Sequence, residues 1–142
     1  LPVYFLVKNH GIMKIAVIGQ NTEVQNAFCR SLKEDFDFEI SLVGYEKHLN
    51  NDEIEILKNA DVIIMDLTAI KKDARVLISE IKEVFPKPKI IVLHMYKEFN
   101  FVRSMMQAGA SGYLFIDSSG NEMKNALASI QKGEKYISVE VE

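Results

Sequence analysis

Asp66 is the residue best placed to do chemistry, because it closes the apolar run Asp61 to Leu67 (DVIIMDL). Val62 to Met65 are too few for a buried helix. Rich in β-branched side chains, they read as a short strand buried on both faces. In an open parallel α/β sheet, ligands and reactions gather beyond the carboxyl ends of the strands. A carboxylate there is a candidate functional group; it is equally well placed to open the next loop as a turn residue. Other predicted strand ends bring Gly19-Gln20, His94 and Ile116 to the same rim.

Several chemistries fail against that set. A dinucleotide site wants G-x-G-x-x-G after the first strand, and Gly19 stands alone there. No glycine is followed by Lys and Ser/Thr as in a phosphate-binding loop. Gly109-Ala110-Ser111-Gly112 lacks the spacing of a nucleophile elbow and precedes a strand instead of following one. A hard cation normally gathers two or three carboxylates. Here Asp66 is the one clear carboxylate, with Asp117 just past the fifth strand and Asp61 at the wrong end of the third. An enzyme is not indicated.

Alternating strands and helices must position these residues. Lys14 to Ile18 is the first predicted strand. Thr22 then suits a helix N-cap, and Val24, Phe28 and Leu32 form a buried stripe. Cys29 is most simply a core residue of that helix. Phe38 to Tyr45 is the second strand, and a short helix spans about Asp52 to Ala60. After DVIIMDL, Asp73 to Phe85 has helical spacing and is stopped by Pro86 and Pro88. Lys89 to Met95 (KIIVLHM) is the fourth strand. A helix carrying Phe101, Val102, Met105 and Met106 then ends at Gly109. Gly112 to Ile116 (GYLFI) is the fifth strand, and the last helix runs near Ser119 to Lys132. Tyr136 to Glu142 alternates and reads as a short strand or the root of a linker.

Five strands alternating with five helices predict an α/β fold, a doubly wound parallel sheet with helices on both faces. The 142 residues fit one domain. Residues 1–12 read as an extension or artificial tail before a start at Met13-Lys14, residues 13–138 as the domain, and residues 139–142 as the start of a linker or tail. Left free, Val3 to Val7 would be an aggregation hazard, so pairing with a sheet edge or a neighbouring chain is expected. A net charge of −3 gives no basic field for nucleic acid. One cysteine excludes an internal disulfide or a cysteine zinc cluster and fits a reducing cytoplasm, and no apolar run is long enough to cross a membrane.

From Lys14 to Ser138 the chain resembles the CheY-like receiver domain of two-component response regulators, most closely the subgroup with a LuxR/NarL-type helix-turn-helix after the receiver. The stretches that carry the likeness are DVIIMDL, KIIVLHM and above all QAGASGYLF, followed by a helix and GEKYIS. The resemblance implies a flavodoxin-like three-layer αβα fold with five parallel strands in the order 2-1-3-4-5. Asp66 falls on the phosphoacceptor position. Thr68 falls where a backbone carbonyl helps hold Mg²⁺, and Tyr113 on the aromatic that changes rotamer with activation.

Other family positions depart from the pattern. Gly19 and Gln20 replace an acidic pair, His94 replaces a switch Ser/Thr, and Ile116 replaces the lysine that contacts the phosphoryl group. Phosphoryl transfer depends on positioning and on neutralising the phosphoryl oxygens. If each lost group is worth ~2–4 kcal/mol, like a lost oxyanion donor, phosphotransfer slows by orders of magnitude. An aspartyl phosphate would also put nearly two negative charges beside apolar Ile116. No resident cofactor or metal is expected; any weakly held Mg²⁺ would rest on Asp66 and the Thr68 carbonyl.

The expected function is therefore an atypical receiver, acting by protein–protein contact with little Mg²⁺-dependent phosphorylation. The resemblance implies dimerisation through the fourth helix, fifth strand and fifth helix, a histidine-kinase partner, and DNA contact only through an output domain outside these residues. One alternative is a working phosphoacceptor at Asp66. Another is a small-molecule module using the neutralised pocket near Gly19, His94 and Ile116. Plainer roles compete: His94 satisfied by a local carbonyl or sensitive to pH, Tyr113 as a half-buried aromatic, Met105 and Met106 as helix core or an adaptable surface, and Lys71-Lys72-Asp73 as solvated loop.

Overall fold

The computed structural model describes residues 7–8, 11–19, 30, 39–44, 49–68, 73–118 and 120–138. Gln20, the predicted first helix with Cys29 (Arg30 excepted), Lys71-Lys72 and residues 139–142 lie outside them. In chain order the strands are β1 Val7–Lys8, β2 Gly11–Ile12, β3 Lys14–Gly19, β4 Glu39–Gly44, β5 Val62–Asp66, β6 Lys89–His94, β7 Gly112–Phe115 and β8 Tyr136–Ile137. The described helices are α1 Asn51–Asn59, α2 Ala74–Val84, α3 Phe99–Ala108 and α4 Gly120–Gln131.

The main sheet runs β4-β3-β5-β6-β7-β8, and every neighbouring pair in it is parallel. Its five longer strands stand in the order 2-1-3-4-5. The sheet has six strands, not five, because Tyr136–Ile137 pairs with β7, Gly112 opposite Tyr136 and Tyr113 opposite Ile137. At the other end of the chain, Val7 pairs antiparallel with Ile12 and Lys8 with Gly11 in a separate two-stranded sheet. Val7 thus folds back on its own chain; Val3 to Leu6 lie outside the described residues.

Both faces of the sheet are covered, which is why its strands read as unbroken apolar runs. Ile15, Val17, Val62, Ile64, Leu93 and Leu114 pack against Met123, Leu127 and Ile130 of α4. The alternate residues Ala16, Ile18, Ile63, Met65, Val92 and Tyr113 face Leu57, Leu77, Ile78, Val102 and Met105 of α1, α2 and α3. Met105 is therefore core, and Met106 packs against it partly buried.

Local signals set the helix ends. Asn50 Oδ1 accepts from the Glu53 N–H at 2.8 Å and the Asn50 N–H donates to Glu53 Oε1 at 3.1 Å, a reciprocal capping box for α1. Asp73 caps α2 by accepting from the Arg75 N–H at 3.0 Å, so this member of the predicted solvated loop has a structural task. Gly109 ends α3 with φ 126°, where a β-carbon would also meet Lys82 Cγ at 3.3 Å.

The amino edge of the sheet is sewn together by Asp61. Its Oδ2 accepts from the Lys14 N–H at 2.8 Å, its N–H donates to the Lys14 carbonyl at 2.8 Å, and its carbonyl accepts from the Lys89 N–H at 3.0 Å. One residue thereby fixes β3, β5 and β6 at the edge opposite the candidate site.

Candidate functional site

Asp66 is the last residue of β5, opposite Leu93 in β6, and is 7% exposed. The ladder continues one residue further, where the Leu67 N–H donates to the Leu93 carbonyl at 3.0 Å. The chain then turns over the carboxylate: Asp66 Oδ1 accepts from the Thr68 N–H at 3.0 Å and from Thr68 Oγ1 at 2.6 Å. This is the turn-capping geometry that short carboxylates favour. The hydroxyl bond is short, as charge-assisted O–H···O⁻ bonds are.

His94 ends β6 and is 8% exposed. Its Nδ1 accepts from the Met95 N–H at 2.9 Å. The expected carbonyl partner is thus replaced by a backbone donor, because the chain bends sharply enough to aim the next amide at the ring. An accepting Nδ1 leaves the proton of the neutral ring on Nε2. Burial holds the imidazole below its ordinary range, and the nearby Asp66 charge opposes that shift without cancelling it. His94 is neutral at neutral pH.

An aromatic cluster joins His94 to the interior. The His94 ring lies 4.6 Å from Tyr96 and meets Phe101 edge-on at 5.2 Å. Phe101 meets Tyr96 at 5.0 Å and Tyr113 at 6.2 Å, and Tyr113 meets Phe115 at 6.2 Å, all nearly perpendicular. Those are the geometries that ring quadrupoles favour. Tyr113 is fully buried, not half-buried, and its hydroxyl donates to the Tyr96 carbonyl at 2.6 Å. That bond supplies the polar partner a buried phenol needs, and burial raises the phenol well above its ordinary pKa.

Ile116 follows β7, and its N–H donates to the His94 carbonyl at 3.0 Å. Its side chain is 36% exposed, so the rim position is apolar and open. Gly19 ends β3 one residue past the pair Ile18–Met65, on the edge where Asp66 ends β5. Sequence reasoning brought Gly19, Asp66, His94 and Ile116 to one rim, and the strand ends place all four there. It missed Tyr96, whose carbonyl and ring complete the cluster, and Lys97, whose ammonium lies 4.8 Å from the Phe115 ring centroid. The spacing of Tyr96 and Phe101 in a loop-to-helix stretch was the available signal.

The receiver resemblance implies Mg²⁺, and the described donor set does not fit it. Asp66 is the carboxylate at the rim, and its Oδ1 already accepts two hydrogen bonds from Thr68. Gly19 brings no side-chain oxygen, while His94 and Ile116 offer a nitrogen and a hydrocarbon. Mg²⁺ demands near-octahedral oxygen coordination. Among the described residues no group of three His, Cys, Asp or Glu is arranged to hold a metal.

No protein-family model matches the chain. It is similar to the oxygen regulatory protein NreC of Staphylococcus epidermidis, 26% identical over 136 residues that make up 91% of this chain and 59% of that protein. The chain therefore spans 59% of that relative's length. Among solved structures it resembles the non-phosphorylated receiver domain of the stress response regulator RcsB from Escherichia coli. The TM-score is 0.69 at 26% identity, covering 89% of this chain and 98% of that one. It also resembles RcsB from Salmonella enterica serovar Typhimurium bound to promoter P1flhDC in the presence of the phosphomimetic BeF3⁻. There the TM-score is 0.71 at 26% identity, covering 91% of this chain and 64% of that one. Sheet order, the aspartate ending β5 and these likenesses together support a CheY-like receiver domain of a two-component response regulator.

Proposed function

We propose that this receiver signals by docking, with little Mg²⁺-dependent phosphorylation, and that it is not an enzyme. The observation carrying this reading is the rim itself. Asp66 keeps the phosphoacceptor place, but its Oδ1 is held by Thr68, and the described residues that share its rim are Gly19, a neutral His94 and the hydrocarbon of Ile116. None of these neutralises a phosphoryl dianion. The docking face is the one formed by α3, β7 and α4, where receivers of this kind dimerise or meet an output domain. Phe99, 59% exposed at the start of α3, and the exposed Met95 and Tyr96 give that face an apolar margin.

In the promoter-bound RcsB structure the matched region belongs to a longer chain that contacts DNA. By likeness, this receiver controls a DNA-binding output domain and takes its cue from a histidine kinase or a docking partner. Beryllofluoride with Mg²⁺ tests the reading. No saturable binding is expected by fluorine NMR or calorimetry; saturable binding that disappears in Asp66→Ala would establish a working phosphoacceptor instead.

A further inference from the structure

At the amino edge of the sheet, the edge away from Asp66, a cavity of about 210 Å³ opens between the start of β3 and the last turns of α1. Two alanines make room for it. Ala16 sits in a strand whose other inner residues are isoleucine and valine, and Ala60 is the C-cap of α1. Both line the cavity, at 0% and 2% exposure, so its floor is buried and apolar. Ile56 adds a partly buried apolar wall.

The mouth of the cavity carries two opposite charges. Lys14 comes from β3, where alternation puts it on the same face as Ala16, and Glu55 comes from α1. Among the described residues no ion pair joins these two. Each is nonetheless held in place. The Asn59 side-chain amide, also on the lining, donates to the Glu55 carbonyl at 2.9 Å and to Glu55 Oε2 at 3.2 Å, which steadies the carboxylate and leaves it further acceptor sites. The Lys14 backbone is fixed by Asp61, which bonds both its N–H and its carbonyl. The C-terminal end of α1 is the negative pole of that helix and favours a second cation on the Glu55 side.

We propose that this cavity binds a free aliphatic α-amino acid of valine or leucine size. The ligand carboxylate lies on the Lys14 ammonium, its ammonium on Glu55, and its side chain on Ala16, Ala60 and Ile56. A ligand with a single charge leaves one side of the mouth unmatched, and one without an apolar part leaves the buried floor uncovered. An apolar cavity of about 150 Å³ takes up benzene, so the volume here admits a short branched side chain with part of its head group. Sites for drug-sized ligands begin at roughly 300 Å³, which restricts this one to small metabolites. The site shares no residue with the rim at Asp66, so it stands or falls apart from the function proposed above.

The test is titration of the isotope-labelled 142-residue chain with L-leucine and L-valine, followed by amide shifts in NMR spectra. Saturable binding of at least one of them with a Kd of about 1 mM or tighter is expected, with the largest shifts at Ala16, Ile56, Asn59 and Ala60. N-acetyl-L-leucine lacks the ammonium and isopentylamine lacks the carboxylate. Each should bind at least about threefold more weakly than L-leucine, the mid-range worth of an exposed ion pair. Lys14→Gln and Glu55→Gln should each weaken L-leucine by a similar factor. Ala16→Val suits a strand and fills the cavity, so it should abolish saturation; should it fail to fold, Ala60→Val carries the same criterion. A Kd weaker than about 1 mM for both amino acids, equal binding of the single-charge analogues, saturation retained in a folded cavity-filling variant, or shifts centred on Gly19 and His94 overturns the proposal.

Discussion

Thr68 Oγ1 lies 2.6 Å from Asp66 Oδ1, and the Thr68 amide reaches the same oxygen at 3.0 Å. The carboxylate proposed as the phosphoacceptor therefore holds the turn that leaves the sheet. Thr68→Val keeps the shape and removes the hydroxyl. It should lower stability by about 1.5–3 kcal/mol, the usual cost of losing a hydrogen bond to a charged group. Urea unfolding followed by circular dichroism measures the change, and an unaltered midpoint would mean the hydroxyl contributes nothing.

Acid should weaken the fold through His94. Burial lowers its pKa in the folded state, so the unfolded chain binds the proton more readily. Wherever the unfolded state holds more protons, stability falls as pH falls. The contribution is complete above the ordinary imidazole value of about 6.5 and is lost as pH drops from there toward the lower folded value. The difference in urea midpoint between wild type and His94→Gln, taken from pH 8 to pH 5, isolates this residue. A difference that is flat with pH would refute the assignment.

Tyr113→Phe leaves the aromatic cluster in place but deprives the Tyr96 carbonyl of its donor. A cost of about 0.5–1.5 kcal/mol is expected, the net worth of one hydrogen bond. Ile64→Ala, in the fully buried middle of β5, should cost about 2–5 kcal/mol because a cavity opens between the sheet and α4. Chemical denaturation that ranked these two in the opposite order would contradict the packing described.

Supplying the charges of the family pattern should strengthen phosphoryl chemistry at the rim. Gly19→Asp and Gln20→Asp with Ile116→Lys would return carboxylates for a cation and an ammonium for the phosphoryl oxygens. The triple variant is expected to bind beryllofluoride in the presence of Mg²⁺ more tightly than the parent, read by fluorine NMR. A folded triple variant that still fails to bind would show that Thr68 or the His94 ring, not the missing charges, closes the site.

Much of this arrangement was legible in the residues. Apolar runs such as Val62 to Met65 announced strands covered on both sides, and glycine at 109 announced a helix end. The rim followed directly, since strand ends are fixed once the strands are. Contacts between distant segments were not legible. The acceptor for the Tyr113 hydroxyl lies 17 residues earlier, in a loop without periodicity. The alternation from Tyr136 to Glu142 left a short strand and a linker root both open; Tyr136–Ile137 is a strand because the Ser111 and Tyr113 carbonyls accept from the Tyr136 and Ser138 amides. His94 was matched with the wrong kind of partner because a bend in the backbone, invisible in residue types, aims the Met95 amide at its ring.

Asp61 gives the sheet a direction. With β3, β5 and β6 pinned at one edge by a single residue, sliding of these strands past one another is resisted there first. The same three strands run on to the far edge, where Gly19, Asp66 and His94 end them, so the residue that joins the strands at their foot also fixes the level at which the rim residues stand.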